Sequence, residues 1–239
     1  ISTTAAFVVA GSGQKIAKHG NQGVSSAVGS STVLEYLGVN FTNDSSFLTK
    51  KIEKANICYL HAPLFHPAMK FVGGIRKDLG LRTFFNILGP LINPGKVKKQ
   101  LTGVSDLKTF DLYQQVFIQS GNPFGVVHSL DIYDEISLTS DFKFANRDGA
   151  NVISPGDLGF EKCGQEELHG GATLADSAQV LLNVLQNKGT KPQENAVLAN
   201  AGLAISIGKS ISIADGILAA RESLESGKAY DCLKILIEK

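Results

Sequence analysis

A short loop near the start of the chain combines residue types that bind anions. The run from Lys18 to Asn21 (KHGN) follows a strand-like segment at 14–17 and precedes a serine-rich helix expected over 25–37. Such a loop aims backbone N–H groups at one point, and the helix dipole favours an anion there. The pattern therefore favours a phosphorylated ligand beside Lys18. An ordinary capped helix, whose serines only satisfy backbone N–H groups, stays open as the alternative from the loop alone.

A second group of charged residues indicates a metal site. Asp134 and Glu135 are adjacent in a loop that also contains Asp131, directly after an expected strand at 124–128. Ligands of open α/β sheets bind beyond the carboxyl ends of the strands. Mg²⁺ takes oxygen ligands and often shares them with substrate phosphates. A solvated acidic turn is the alternative for this loop when it is considered by itself.

Arg76 is a candidate for binding a carboxylate. It lies on an expected helix that Gly73 and Gly74 interrupt, so little bulk covers its guanidinium, which binds carboxylates in a bidentate fork. A surface arginine near Asp78 is the alternative. The chain contains no nucleophile-elbow motif, so positioning and electrostatics are expected to carry any catalysis, and no residue is assigned a covalent catalytic role. His61 and His66 are interpreted as structural residues.

Composition narrows the class of protein. The 239 residues are 43% hydrophobic and 19% charged, with a net charge of +1. This fits a globular protein and gives no electrostatic case for binding nucleic acid or a membrane surface. No apolar run is long enough to span a bilayer. Three widely spaced cysteines predict reduced thiols and a cytoplasmic location.

Hydrophobic periodicity predicts an α/β fold with a mostly parallel sheet flanked by helices. We expect one domain over 1–239, with 63–95 as a helical excursion from the sheet, and a half-exposed strand or hairpin within 136–145. Further strands are expected at 57–61, 101–104 and 124–128. Helices are expected at 5–10, 45–55, 68–79, 82–88, 107–119, 174–185, 192–206, 213–226 and 230–237. Hydroxyl residues at 2–4 are expected to cap the first helix.

Several longer motifs occur in order along the chain. They are ISTTAAFVVA at 1–10, KHGN at 18–21 leading into the serines of 25–30, HPAM at 66–69 followed by Arg76, 79–94 with FNILGPL, VVH at 126–128 and DEIS at 134–137. With this set the chain resembles the anthranilate phosphoribosyltransferase family over nearly its whole length. The resemblance implies a nucleoside phosphorylase/phosphoribosyltransferase-like fold with remnants of a small helical domain.

The resemblance also implies an activity and its residues. The expected reaction transfers a phosphoribosyl group from 5-phosphoribosyl 1-diphosphate (PRPP) to anthranilate in tryptophan biosynthesis, with Mg²⁺ as cofactor. Anthranilate would be bound by Asn21 and Arg76, and Mg²⁺ by Ser2, Asp134 and Glu135. The donor would be bound by Ser2, Thr3, Lys18, His19, Gly20, Asn21, Ser25, Ser26 and Ser30.

Some positions differ from the family pattern. Gln22 and Gly23 stand where the family usually has arginine and a small residue. The resemblance further implies an N-terminal helical region and a glycine-rich loop ahead of Ile1, which would carry most contacts of a homodimer and toward which 63–95 would pack. The chain 1–239 alone is therefore expected to keep its fold but to be inactive. The competing hypotheses are a phosphorylase with another acceptor and a non-enzymatic relative that binds nucleic acid.

Overall fold

The computed structural model describes residues 1–21, 29–68 and 84–238, and the elements below are numbered within these ranges. The strands are β1 (Ile16–Gly20), β2 (Ile57–His61), β3 (Gln100–Gly103), β4 (Phe124–Ser129), β5 (Phe142–Asn146) and β6 (Gly149–Ile153). The helices are α1 (Ser2–Gly11), α2 (Ser30–Tyr36), α3 (Ser45–Ala55), α4 (Ala62–Phe65), α5 (Phe84–Leu88), α6 (Leu107–Ser120), α7 (Leu174–Leu185), α8 (Lys191–Lys209), α9 (Ile213–Glu225) and α10 (Lys228–Ile237). Short 3₁₀ turns occupy Gly89–Ile92, Gly156–Leu158 and Gln165–Leu168.

The described strands form two sheets, so the α/β class is confirmed but the mostly parallel sheet needs correction. β1 and β2 pair in parallel, with Ile16 opposite Ile57. β3 and β4 are also parallel, but β4, β5 and β6 pair antiparallel, which makes the four-stranded sheet mixed. For β5 and β6 the reason is local, because a short turn joins them, and a tight turn can join only antiparallel strands. The hairpin expected within 136–145 thus begins later, at Phe142.

The main core surrounds α1 and α8. Seven consecutive residues of α1, Thr4 to Ala10, are buried, as expected for a helix that is apolar on all sides. The Ser223 hydroxyl of α9 donates a hydrogen bond of 2.7 Å to the carbonyl of Val8. A Cβ added to Gly11 would lie only 2.3 Å from the same hydroxyl oxygen, so α9 packs directly against the end of α1. α1 is therefore fixed in position, and with it the residues at its N-terminus.

A second apolar cluster lies between α6 and β4. It contains Phe110, Tyr113 and Phe124, and the Tyr113 hydroxyl donates to the carbonyl of Ile87 at 2.6 Å. Burial, and secondarily the charge of Asp106, raises the pKa of Tyr113 to about 12.

No single helix of the described ranges is long and apolar enough to cross a membrane. Helices α8 and α9 have the length and apolar composition of a membrane span only when taken together, and a bend of 115° separates them.

Helix ends follow the turn chemistry predicted from sequence. Gly38 and Gly227 both have positive φ after a helix, at +96° and +78°, where glycine is favoured. Pro192 lies in the first turn of α8, as predicted. The described parts of 63–95 hold only short helices, and the excursion itself stays a prediction.

Lys51 on α3 ties this helix to the end of α10, and its loss is expected to destabilise the fold. Its ammonium is buried and donates to the carbonyls of Ile235, at 2.7 Å, and of Glu238. Lys51→Met keeps the apolar stem but leaves both carbonyls without this donor, which should lower the free energy of unfolding by about 1–3 kcal/mol. Urea denaturation measures this, with exposed Lys50→Met on the same helix as control. Equal stabilities of the two variants would contradict the assignment.

Candidate active site

A large cavity opens at the ends of β1 and β3 and at the N-terminus of α1. Its volume is about 1640 Å³. Most of the site residues predicted in the described ranges line it, namely Ser2, Lys18, His19, Gly20, Asn21, Asp134 and Glu135. Thr3 and Ser30 do not line the cavity as the described residues form it. Two motifs more than a hundred residues apart in sequence thus form one site.

The acidic loop that follows β4 is held against the sheet at three points. The Ser129 hydroxyl donates to the carbonyl of Glu135 at 2.7 Å. Gly103, at the end of β3, lies so close that a Cβ there would be 1.5 Å from the Asp134 carbonyl oxygen. Asn200 of α8 bonds the backbone of Ile136 on both sides. The loop therefore presents the two carboxyl groups from a fixed backbone.

These three residues, which hold the acidic loop, were not predicted from the sequence. The sequence around Ser129 and Gly103 shows no motif that would single them out. Asn200 could have been noticed, because it is a single amide within the apolar run 196–205. Asp131, in contrast, is occupied within its own loop. It accepts hydrogen bonds from Thr139 and Ser140, so the structure gives it a structural role.

Ser2 connects the N-terminus of α1 to both charged groups of the site. Its backbone N–H donates to Glu135 Oε1 at 2.8 Å, and its hydroxyl accepts from Lys18 Nζ at 3.3 Å. The prediction that hydroxyls at 2–4 cap α1 was wrong, since the cap residue is Ile1 and Ser2 already belongs to the helix. Its hydroxyl instead faces the cavity.

Charges in this cluster shift one another's pKa values. Burial lowers the pKa of Lys18, although the charges of Glu135 and Asp134 oppose this. Burial and the neighbouring Glu135 raise the pKa of Asp134. Burial also raises the pKa of Glu135, whereas the hydrogen bonds from Ser2 and the Lys18 charge lower it. Two adjacent carboxyl groups with one destabilised anion favour a further cation.

The donor set fits a hard divalent cation. Two carboxylates and a serine hydroxyl offer only oxygen, which is the ligand type of Mg²⁺. Within the described ranges no cluster of three or more His, Cys, Asp or Glu side chains could hold a metal unaided. This is the arrangement expected where a substrate's phosphate oxygens complete the coordination.

His19 and His66 form a pair on the cavity wall. Their Nε2 atoms are 3.2 Å apart, and His19 Nδ1 lies 3.2 Å from the carbonyl of Gly89. Because a carbonyl only accepts, His19 carries its proton on Nδ1 and accepts at Nε2 from His66. Burial and the nearby His66 lower the pKa of His19, against the Gly89 hydrogen bond. His61 has other partners, the hydroxyl of Ser31 and the ring of Phe41.

The turn after β1 needs glycine at position 20. A Cβ on Gly20 would lie 2.3 Å from the Tyr59 hydroxyl and 3.0 Å from Ser30 Oγ. The Tyr59 hydroxyl also forms hydrogen bonds with the hydroxyls of Ser30, at 3.0 Å, and of Ser31, at 2.8 Å. These bonds link β2 to the first turn of α2. Ser30 therefore joins α2 to β2 through the Tyr59 hydroxyl. The predicted site residues Ser25, Ser26 and Arg76, and the divergent Gln22 and Gly23, lie outside the described residues.

Comparison with known proteins first identifies the class. Residues 1–230 match the model of the glycosyl transferase family, a/b domain. This match extends over nearly the whole chain, and the mixed α/β architecture agrees with it. The chain belongs to this glycosyl transferase family.

Named relatives define the subfamily. Anthranilate phosphoribosyltransferase of Christiangramia forsetii is 49% identical over 236 residues, which are 99% of this chain and 71% of the relative. That of Cytophaga hutchinsonii is 52% identical over 235 residues, 98% of this chain and 72% of the relative. Within the glycosyl transferases, the chain is thus a member of the anthranilate phosphoribosyltransferase family, as the sequence resemblance predicted.

Solved structures agree with this assignment. Anthranilate phosphoribosyltransferase from Thermus thermophilus superposes with a TM-score of 0.92 at 33% identity, covering 99% of this chain and 71% of that one. The Saccharomyces cerevisiae enzyme in complex with PRPP and Mg gives a TM-score of 0.91 at 29% identity, covering 99% and 68%.

Proposed function

We propose that the enzyme carrying this sequence transfers the phosphoribosyl group of PRPP to the amine of anthranilate, releasing pyrophosphate, as a step of tryptophan biosynthesis. The observation that carries the proposal is the meeting of Lys18, Ser2 and the Asp134–Glu135 pair in one cavity. An ammonium group, a helix N-terminus and two carboxyl groups suit a polyanionic ligand that carries a divalent cation. Relatives with 49% and 52% identity bear the name of this activity.

The donor's phosphates would bind in the part of the cavity that Lys18 and Ser2 line. Lys18, whose charge is held beside Ser2, would attract them, and the backbone N–H groups of the turn after β1 would donate to them. The proposed donor-binding residues are those of the sequence prediction, which include Ser25, Ser26 and Ser30. Thr3 would act indirectly, since it does not line the cavity as the described residues form it.

Mg²⁺ would be held by Asp134, Glu135 and Ser2. When bound, it would neutralise charge that develops on the departing pyrophosphate. The chain's own contribution is to hold the two carboxyl groups from a backbone that Ser129, Gly103 and Asn200 fix. Such preorganised charge needs little rearrangement as the sugar C1 gains positive character.

Anthranilate would lie between Asn21 and Arg76, with Arg76 holding its carboxylate. The His19–His66 pair forms a wall of the same cavity. Burial lowers the pKa of His19, which favours an uncharged ring where the amine must stay a nucleophile. An uncharged His19 would not repel the developing positive charge on the sugar. No side chain needs to form a covalent intermediate in this scheme.

Arg76→Ala is expected to weaken anthranilate binding selectively. Loss of a charge-assisted, bidentate contact in a desolvated site should cost about 2–5 kcal/mol. Steady-state kinetics should show a KM for anthranilate that rises much more than the KM for PRPP. Arg76→Lys is the matched control and should recover only part of the affinity, because an ammonium group lacks the fork. Equal effects on both substrates would indicate a structural arginine instead.

The proposal also covers the oligomeric state of the protein, its location in the cell and its binding partners. We expect a homodimer in the cytoplasm, on the strength of the family resemblance, and binding of neither membrane nor nucleic acid, on the strength of a net charge of +1. A DNA-binding titration over a range of salt concentrations tests the nucleic-acid alternative. Salt-dependent binding without anthranilate turnover would favour a non-enzymatic relative.

The direct test of the activity is turnover by the enzyme that carries this sequence. Anthranilate consumption should require both PRPP and Mg²⁺ and should release pyrophosphate in equal amount. Turnover of PRPP with another acceptor, or phosphorolysis of a nucleoside, and none with anthranilate would favour the related phosphorylase.

A further inference from the structure

We propose that Asn200 on α8 is a positioning residue for the metal site, acting through the backbone of Ile136. The inference rests on the proposed function, because it concerns the same Asp134–Glu135 pair. Asn200 itself would bind neither metal nor substrate. Its side-chain amide would set the direction in which the acidic loop presents its two carboxyl groups.

The contacts of Asn200 account for both backbone groups of one residue. Asn200 Oδ1 accepts from the Ile136 N–H at 3.0 Å, and Nδ2 donates to the Ile136 carbonyl at 2.8 Å. A third hydrogen bond, from Nδ2 to the carbonyl of Ala196 at 2.8 Å, fixes the side-chain rotamer on its own helix. Ile136 is fully buried, so water cannot replace these partners.

The position of Asn200 makes it a suitable anchor. It is 8% exposed and lies within an apolar stretch of α8, the helix that packs against α1 in the main core. An amide in such a stretch is costly unless it is hydrogen-bonded, and here its bonds go to a loop residue directly after Glu135. Asn200 thus ties the acidic loop to a helix of the main core.

Two other supports act on the same loop. Gly103 limits where the Asp134 carbonyl can lie, and the Ser129 hydroxyl donates to the carbonyl of Glu135. That carbonyl and the Ile136 N–H belong to one peptide group, so Ser129 and Asn200 hold this group from its two ends. Without Asn200 the peptide group keeps only the Ser129 hydrogen bond of this pair, so it can tilt, and the Glu135 side chain with it.

Metal binding tests the proposal without turnover. Asn200→Leu keeps the approximate volume and removes all three hydrogen bonds. Mn²⁺ would be titrated into the enzyme in the presence of inorganic pyrophosphate, with free Mn²⁺ read by electron paramagnetic resonance. We expect an affinity about 10–100-fold weaker than that of the unsubstituted enzyme, the range found when outer supports of metal ligands are removed. Asn200→Ser, which is too short to span both groups, should act in the same direction if the leucine variant folds poorly.

Val197→Ala separates positioning from simple destabilisation. Val197 is buried on the same helix and belongs to the core, and its side chain has no polar group to bond the loop. This variant should lower the melting temperature but leave the Mn²⁺ affinity within about twofold. If Asn200→Leu and Asn200→Ser also lower only the melting temperature, the proposal is overturned.

A kinetic readout distinguishes failure of this inference from failure of the proposed function. In Asn200→Leu, the Mg²⁺ concentration for half-maximal turnover should rise at least about tenfold, with an unchanged KM for anthranilate at saturating Mg²⁺. An unchanged Mg²⁺ requirement in an active enzyme would overturn the role of Asn200 alone. If the unsubstituted enzyme does not consume anthranilate, the proposed function fails, and the Mn²⁺ titration still decides the role of Asn200.

Discussion

Replacing Asp134 with Asn and Glu135 with Gln together is expected to abolish Mg²⁺-dependent turnover, by a factor of about 10³ or more. The substitutions keep the size of both side chains and remove both negative charges. A bound metal that stabilises a leaving group supplies several kcal/mol, and each 1.36 kcal/mol corresponds to about tenfold in rate.

The structure indicates why the loss should be large rather than partial. Glu135 accepts the Ser2 N–H at 2.8 Å, so its Gln replacement presents either a weaker acceptor or a clashing donor there. Lys18 would also lose the charges that oppose the lowering of its pKa by burial. Metal site and phosphate site should therefore be damaged together.

Steady-state turnover measured against Mg²⁺ concentration checks this expectation. Asp148→Asn combined with Glu161→Gln is the control, since both residues are exposed and the change in net charge is the same. The control should stay within about twofold of the unsubstituted enzyme, in line with the small effects of exposed charges. Near-normal activity of the Asp134, Glu135 double variant would refute the metal assignment.

Gly103→Ala is expected to have the second largest effect, although Gly103 carries no functional group. A Cβ there would lie 1.5 Å from the carbonyl oxygen and 2.6 Å from the carbonyl carbon of Asp134. Both are backbone atoms, so β3 or the acidic loop must shift by roughly 1 Å or more. A misplacement of that size at a catalytic group costs about 10²-fold in rate.

The readouts for Gly103→Ala are turnover, Mg²⁺ dependence and thermal stability. Gly170→Ala is the matched control, because a Cβ there would meet no atom within 4 Å. The control should leave all three quantities close to those of the unsubstituted enzyme. Wild-type turnover and Mg²⁺ dependence in Gly103→Ala would show that the acidic loop need not be held where the structure has it.

Local patterns in the sequence were sufficient to predict most of the described elements. The strand at 57–61 and the helices at 45–55 and 174–185 agree with β2, α3 and α7, because hydrophobic periodicity and caps act within each segment. Pairing direction is a longer-range property. The antiparallel pairing of β5 with β6 depends on the short turn between them, which the alternation of residues alone does not specify.

In the candidate site too, local patterns identified some residues and missed those that depend on distant contacts. Lys18, Asp134 and Glu135 could be found because each belongs to a short motif with recognisable chemistry. Ser2 was predicted to bind metal only through the family resemblance, while its helix position was predicted incorrectly. Gly103 and Asn200 act through backbone contacts 31 and 64 residues away, and no local pattern encodes such partners.

Calorimetric titration of PRPP into the enzyme, with Mg²⁺ and then with a chelator in its place, tests the central claim most directly. The claim is that Lys18, Ser2 and the Asp134–Glu135 pair form one site for a Mg²⁺-bound diphosphate. We predict saturable binding of about one PRPP per chain with Mg²⁺, and binding at least about tenfold weaker with the chelator. Equal PRPP affinity in the two titrations would contradict the account.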